Sequence, residues 1–227
     1  LYADLSVREN LQFYADLFGV PRAERDRRMA DLLAFSRLEP YAKRLARNLS
    51  GGMRQKLALC AALIHRPEVL FLDEPTIGVD PVSRRDFWLL ISQLLRQGLT
   101  LLVSTPYLDE AERCHRVGLM DHGRLIACED PAGLRRLLPG TLLELRGPTP
   151  EVAAPLLSRL PEVREAQVFG DALHLLVADP ERDLPRIWAA LEARGFPEVH
   201  LRPILPSLED VFVTLLRQRP PGIPARH

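Results

Sequence analysis

Two short segments carry the side chains most suited to binding a phosphate group and a metal ion. Ser50, Gly51 and Gly52 precede an apolar stripe at helical spacing, which predicts that a helix begins there. Glycine lets a phosphate approach the backbone closely, and the first turn of a helix presents unpaired N–H groups. Asp73 and Glu74 follow an apolar run, which indicates a buried strand with two carboxylates at its carboxyl end.

The two carboxylates suit the hydrolysis of a phosphate ester. Magnesium takes oxygen ligands and usually keeps several waters, so Asp73 alone can hold it directly or through water. Glu74 is then free to orient or deprotonate an attacking water. Each segment also has a plainer interpretation, as a serine helix cap and as a polar strand end before a turn at Pro75. Their occurrence together favours the chemical interpretation.

Read in order, these segments resemble the ATP-binding subunit of ABC transporters. Residues 49–56 resemble the family signature, residues 70–74 its Walker B strand and residues 78–80 its D-loop. The resemblance runs from residue 1 to about residue 216, and residues 2–10 and 206–212 are most similar to ABC-2-type and multidrug exporters. A DNA-repair ABC ATPase shares the signature and Walker B, but it should carry long coiled coils or a basic face, and neither is visible.

The resemblance implies ATP and Mg²⁺ as cofactors, with Glu74 as the catalytic residue and Asp73 as the metal ligand. The resemblance also implies a dimer of ATP-binding subunits, in which the signature of one subunit closes over ATP held by the other. The residues that this implies for nucleotide contact are Ser50, Gly51, Gly52, Gln55 and Asp80. The implied partners are a second ATP-binding subunit, identical or different, and a transmembrane permease. The implied location is cytoplasmic, on the inner face of the cell membrane, with the permease as anchor.

Two departures from the family pattern bear on activity. The 227 residues contain no Gly-x-x-x-x-Gly-Lys-Ser/Thr loop and no Q-loop glutamine, and the chain opens on Leu1. We therefore expect the carboxyl-terminal portion of a longer protein, inactive by itself. Pro106 stands where the family carries a histidine, and proline offers neither a side-chain donor nor a backbone N–H. A degenerate, non-catalytic regulatory or assembly subunit is thus an alternative.

Composition narrows the class of protein further. Thirty basic and thirty acidic residues cancel without forming a basic block, which argues against direct nucleic-acid binding. The three cysteines show neither metal-ligand spacing nor a disulfide framework. No apolar run reaches the roughly 18 residues of a spanning helix, so membrane attachment is expected through a partner.

The periodicities predict an α/β fold with a small accessory domain, and the resemblance implies that the first part is a partial P-loop NTPase domain of the ABC type. Residues 1–48 read as a helical subdomain, and residues 49–140 alternate helix and strand, as a parallel sheet requires. Residues 141–217 follow a βαββαβ order, which predicts a ferredoxin-like α+β domain with a regulatory or dimer-stabilising role. The proline-rich residues 218–227 are expected to be disordered.

Overall fold

The computed structural model describes residues 1–147, 150–196 and 199–218. The chain divides into two compact units, Leu1–Pro106 and Tyr107–His227. The domain boundary that we predict after residue 140 stays a prediction, and the predicted disordered tail lies outside the described residues except for Gln218.

The first unit begins with a helical core. Its helices are α1 (Val7–Leu17), α2 (Arg22–Ser36) and α3 (Gly51–Leu63), with two 3-10 turns at Glu39–Tyr41 and Ala46–Asn48. Ser6 caps α1, because its hydroxyl accepts the N–H of Glu9 (3.2 Å) while its own N–H donates to the Glu9 carboxylate (2.7 Å). The apolar faces of the three helices pack together around residues such as Leu11, Leu33 and Leu57. Helical spacing predicts this core.

A two-stranded parallel sheet follows in the same unit. It consists of β1 (Val69–Asp73) and β2 (Thr100–Ser104), connected by α4 (Pro81–Arg96), and Asp73 lies opposite Ser104. The sequence predicts a buried β1, but Phe71 is 70% exposed and Leu102 beside it is 61% exposed. The difference arises because one face of these two strands is left uncovered within the described residues.

The second unit starts with α5 (Leu108–Ala111), a hairpin of β3 (Val117–Asp121) and β4 (Arg124–Glu129), and α6 (Pro131–Arg135). His122 and Gly123 form the hairpin turn with φ values of 46° and 73°. The sequence predicts this turn and both strands, whereas it does not predict α5.

The remaining elements form a four-stranded sheet with helices. They are β5 (Thr141–Arg146), α7 (Pro150–Leu157), β6 (Val163–Phe169), β7 (Ala172–Val177), α8 (Pro180–Ala193), β8 (His200–Ile204) and α9 (Leu208–Arg217). The strand order is β6-β7-β5-β8, and every neighbouring pair is antiparallel. Two split βαβ units therefore interleave, as in a ferredoxin-like fold, and the predicted fold class is confirmed.

Helix α8 begins earlier than the sequence predicts, and helix α9 packs against elements that the sequence did not indicate. The apolar pattern predicts a start for α8 at Leu184, but Asp179 caps the helix and Pro180 occupies its first turn, so α8 begins four residues earlier. Leu208 and Val211 of α9 pack in one apolar cluster with residues of α5, β3 and α6. The terminal helix thus joins the four-stranded sheet to the elements that precede it in the second unit.

Among the described residues, no helix has both the length and the apolar character that crossing a lipid bilayer requires.

Candidate functional site

The predicted phosphate-contacting serine lies at the exposed start of α3. Ser50 adopts an extended backbone, and its hydroxyl accepts the N–H of Met53 at 3.3 Å, so it is the N-cap of the helix. The side chain of Ser50 is exposed, while Gly52 behind it is buried. The amino end of α3 therefore presents the Ser50 hydroxyl at the surface, which suits an anion.

The two signature glycines also permit close packing, a role that the sequence analysis missed. A Cβ on Gly52 would lie 2.4 Å from the Cβ of Ser83 and 2.5 Å from its hydroxyl oxygen. A Cβ on Gly51 would lie 3.3 Å from the carbonyl oxygen of Gly78. The start of α3 thus contacts the loop after β1 and the first turn of α4. The small side chain of Ser83 in the first turn of α4 was the sequence feature that could have indicated this close packing.

The two carboxylates lie at the carboxyl end of β1, as predicted, and both are exposed. The hydroxyl of Ser104 donates to the carboxylate of Asp73 and accepts the backbone N–H of Glu74 at 3.1 Å. The same N–H of Glu74 lies 3.0 Å from the carbonyl oxygen of Ser104. Ser104 therefore holds both residues at the end of the sheet. Sequence reasoning treated Ser104 as a strand end only, because no local pattern shows that it lies opposite Asp73.

The backbone turns sharply after Asp73. Glu74 has a φ of 46°, in the left-handed region, and the N–H of Ile77 donates back to its carbonyl oxygen at 3.3 Å. Gly78, with a φ of 71°, continues this turn, which a side-chain-bearing residue would strain. The turn re-aims the chain from the strand end toward the start of α4, so the Walker B and D-loop segments form one continuous structure.

Asp80, the predicted D-loop residue, is the N-cap of α4. Its carboxylate accepts the N–H of Ser83 at 2.9 Å, and this hydrogen bond holds the pKa of Asp80 below its ordinary value. Gln55 lies half-buried in the second turn of α3. On the same helix, Lys56 reaches the Asp86 carboxylate of α4 at 3.2 Å, which joins the two helices.

The structure brings the predicted residues together in two groups. Gly51 and Gly52 contact the loop and helix start that contain Asp80, whereas Asp73 and Glu74 are held by Ser104. Pro106 is exposed two residues after Ser104. Both groups belong to the first unit.

The residues present fit a magnesium ion better than they fit a whole nucleotide. Within the described part of the chain, no cluster of three or more His, Cys, Asp or Glu side chains could hold a metal ion, so Asp73 would share it with waters and phosphate oxygens. The exposed Ser50 hydroxyl at the start of α3 fits a phosphate from outside. The sequence offers no Gly-x-x-x-x-Gly-Lys-Ser/Thr loop to cradle phosphates from within.

The chain contains a nucleotide-binding domain of the P-loop NTPase class, to which β1, the turn after it and the start of α3 belong. The family described as ABC transporter matches residues 1–77. Nod factor export ATP-binding protein I from Rhizobium sp. (strain N33) is 36% identical over 93% of this chain and 68% of its own length. The chain belongs to the family of ABC transporter ATP-binding proteins, as the sequence resemblance predicted.

Other similar proteins agree with this assignment. The probable multidrug ABC transporter ATP-binding protein YbhF from Escherichia coli (strain K12) is 41% identical over 95% of this chain, and the chain spans only 37% of its length. A solved structure described as the ATP binding subunit of an ABC transporter superposes with a TM-score of 0.53 at 31% identity, covering 60% of this chain and 57% of the other.

Proposed function

We propose that this chain is the ATP-binding and ATP-hydrolysing subunit of an ABC exporter and powers efflux through a separate transmembrane permease. The observation that carries the proposal is the contact of the signature glycines with the D-loop, in the unit that also holds Asp73 and Glu74 at the end of β1. The names of the relatives, multidrug transport and Nod factor export, support export as the direction.

In this proposal the two groups of residues act on different nucleotides. Asp73 would hold Mg²⁺, and Glu74 would orient or deprotonate the attacking water, at a nucleotide bound on their own side of the dimer. Ser50, Gly51 and Gly52, supported by Gln55 and Asp80, contact the phosphates of ATP held by the second subunit. When bound, Mg²⁺-ATP supplies the phosphoryl group and its charge neutralisation.

The partners that we propose are a second ATP-binding subunit and the permease, at the cytoplasmic face of the cell membrane. The balanced charge of the chain supports the absence of a nucleic-acid partner. Because the chain lacks the phosphate-binding loop, we propose that it is inactive alone and retains the half of the site that acts on a partner's ATP.

A mixed-subunit experiment tests this proposal. A family member with an intact phosphate loop but a disabled signature is mixed with this chain, and ATP hydrolysis is measured. We expect hydrolysis to rise on the order of a hundredfold, because the missing phosphate donors are supplied in trans. The chain with Ser50→Arg is the matched control and should give no rise. Equal rates with and without the chain would count against the proposal.

A second candidate, a non-catalytic regulatory subunit, is favoured by one observation. Pro106 lies exposed after β2 and cannot donate a hydrogen bond to a phosphate oxygen. This candidate predicts that the chain leaves ATP hydrolysis by its partner unchanged in the mixed-subunit assay, whereas the proposed ATP-hydrolysing subunit raises it.

A further inference from the structure

The four-stranded sheet of the second unit has an edge that is open to another strand. Among the described residues, β6 pairs with β7 on one side and with no strand on the other. With seven residues, β6 is the longest strand of this sheet. The edge of a sheet presents a row of unpaired N–H and C=O groups, which a further strand can satisfy.

The opposite edge is protected against such pairing. Strand β8 has five residues and contains Pro203, which has no N–H to donate. Its neighbour Arg202 is exposed and donates to the Glu144 carboxylate at 2.7 Å and 3.0 Å. Proline and charge on an edge strand both discourage strand addition. The β8 edge is therefore less able than the β6 edge to accept a further strand.

The second half of β6 has none of these protective features. Residues 166–169 are Ala, Gln, Val and Phe, without charge, proline or glycine. The register irregularity of β6 lies between Val163 and Glu165, so the strand is regular beyond it. Val168 is 39% exposed, and both Val168 and Phe169 are residue types of high β-propensity.

The charged side chains in the first half of β6 make contacts within the unit. The carboxylate of Glu165 accepts from the guanidinium of Arg217 at 2.7 Å, and Arg164 donates to the carbonyl oxygen of Pro139. Both charged side chains lie in the first half of β6, outside the uncharged residues 166–169.

We propose that the β6 edges of two copies of this chain pair antiparallel around a two-fold axis at Gln167, which joins their sheets into one of eight strands. Gln167 then lies opposite Gln167 of the partner subunit, and an amide offers both donors and acceptors to its copy. Ala166 lies opposite the partner's Val168. An isologous contact requires this kind of self-complementarity.

The charge pattern favours this register over one with its axis at Glu165. With the axis at Gln167, Glu165 faces the partner's Phe169, so no like charges meet. Moving the axis to Glu165 would place two carboxylates directly opposite each other, which is destabilising in an antiparallel pair. The interface deepens the proposed function, since it supplies a dimer contact between ATP-binding subunits, but its test needs no nucleotide.

Sedimentation of the purified chain over a concentration series tests the interface. We expect a species of twice the 25.6 kDa of one chain. Val168→Lys should return the chain to the monomer mass, because it places a charge at the paired edge, while Val168→Thr should preserve the dimer. Circular dichroism of both variants verifies the fold. A monomer at every concentration, or a dimer that Val168→Lys leaves intact, would overturn the proposal.

Cross-linking locates the contact. In a chain without its three native cysteines, Gln167→Cys should form a disulfide-linked dimer on oxidation, because both thiols lie at the axis. His200→Cys, exposed on the opposite edge strand β8, is the matched control and should remain monomeric. Equal cross-linking of both variants would contradict pairing through β6. A chain that dimerises through β6 but does not raise ATP hydrolysis in the mixed-subunit assay would instead contradict the proposed function.

Discussion

Gly52 illustrates how one residue can meet two requirements. We propose that the signature glycines let a phosphate approach the backbone, and the structure shows that Gly52 also lets α3 lie against Ser83 of α4. A Cβ in that position would be 2.4 Å from the Cβ of Ser83, closer than atoms of two side chains can approach. The packing role is a property of the folded first unit and does not depend on ATP.

Gly52→Ala should therefore destabilise the first unit without any ligand. Overpacking of this kind costs about 1–3 kcal/mol in free energy of unfolding. Urea unfolding can be followed by Trp88 fluorescence in a Trp188→Phe background, since Trp88 lies buried in α4. Ser83→Gly removes the opposing Cβ, so Gly52→Ala should cost much less in that background. The same loss in both backgrounds would show that the contact with Ser83 is not the cause.

Glu144 is a second residue whose environment makes a measurable prediction. The carboxylate accepts hydrogen bonds from Arg146 and Arg202, which lower the pKa of Glu144 from 4.5 to about 2. A lowered pKa means that the stabilisation is complete above pH 4.5 and is lost as the pH falls toward 2. Glu144→Gln should remove this part of the acid dependence. The check is the thermal midpoint of the second unit at a series of pH values, where parallel curves for both proteins would contradict it.

At the scale of elements, α9 is anchored at its start by contacts from three other elements. Glu112, which follows α5, accepts the N–H of Leu208 at 3.2 Å and pairs with Arg135 of α6. Arg135 also donates to the carbonyl oxygen of Pro206 at 2.7 Å. On the sheet side, Asp210 lies 2.7 Å from the imidazole of His174 in β7. The helix thereby connects the α5–α6 region to the ferredoxin-like sheet.

Asp210→Ala should loosen α9 from that sheet. Burial alone would raise the pKa of Asp210, but hydrogen bonds from His174 and Ser207 outweigh it, so the carboxylate is held in its charged form. Removing it leaves the buried imidazole without this partner, and an unsatisfied buried group costs about 1–3 kcal/mol. Hydrogen exchange of residues 208–214 should accelerate. Glu209→Ala, in the same turn but exposed, is the control and should leave exchange unchanged; similar acceleration in both would argue against the His174 contact as the anchor.

At the scale of the whole molecule, our proposal assigns the described residues to one half of each composite site. The start of α3 offers donors to a phosphate from outside, and the end of β1 offers carboxylates to a metal ion. We therefore predict no measurable binding of Mg²⁺-ATP by the isolated chain, because no phosphate-cradling loop is present in its sequence. Calorimetric titration checks this, with a family member that carries the loop as control. Micromolar affinity would show that the phosphate site lies elsewhere in the chain.

Much of the local structure was predictable from the sequence. Short segments rich in apolar residues and bounded by turn residues correctly placed the strands Thr100–Ser104, Val163–Phe169 and Ala172–Val177. Helices α3, α4 and α9 begin at the N-caps Ser50, Asp80 and Ser207. Each side chain accepts the backbone N–H three residues later, which is a local contact that sequence can indicate. The order of elements then indicated the α/β and ferredoxin-like folds, because short connections leave few ways to bury their apolar faces.

The contacts between distant segments were decided only by the tertiary structure. The hydroxyl of Ser104 meets Asp73 across 31 residues of chain, and Leu208 meets Glu112 across 96. Periodicity and capping are local features, so they do not predict against which other element a helix packs. The sequence by itself thus determined the elements, the motifs and the family of this protein. Packing between elements decided that Gly52 must accommodate Ser83, that one face of β1 is open and that α9 joins two parts of its unit.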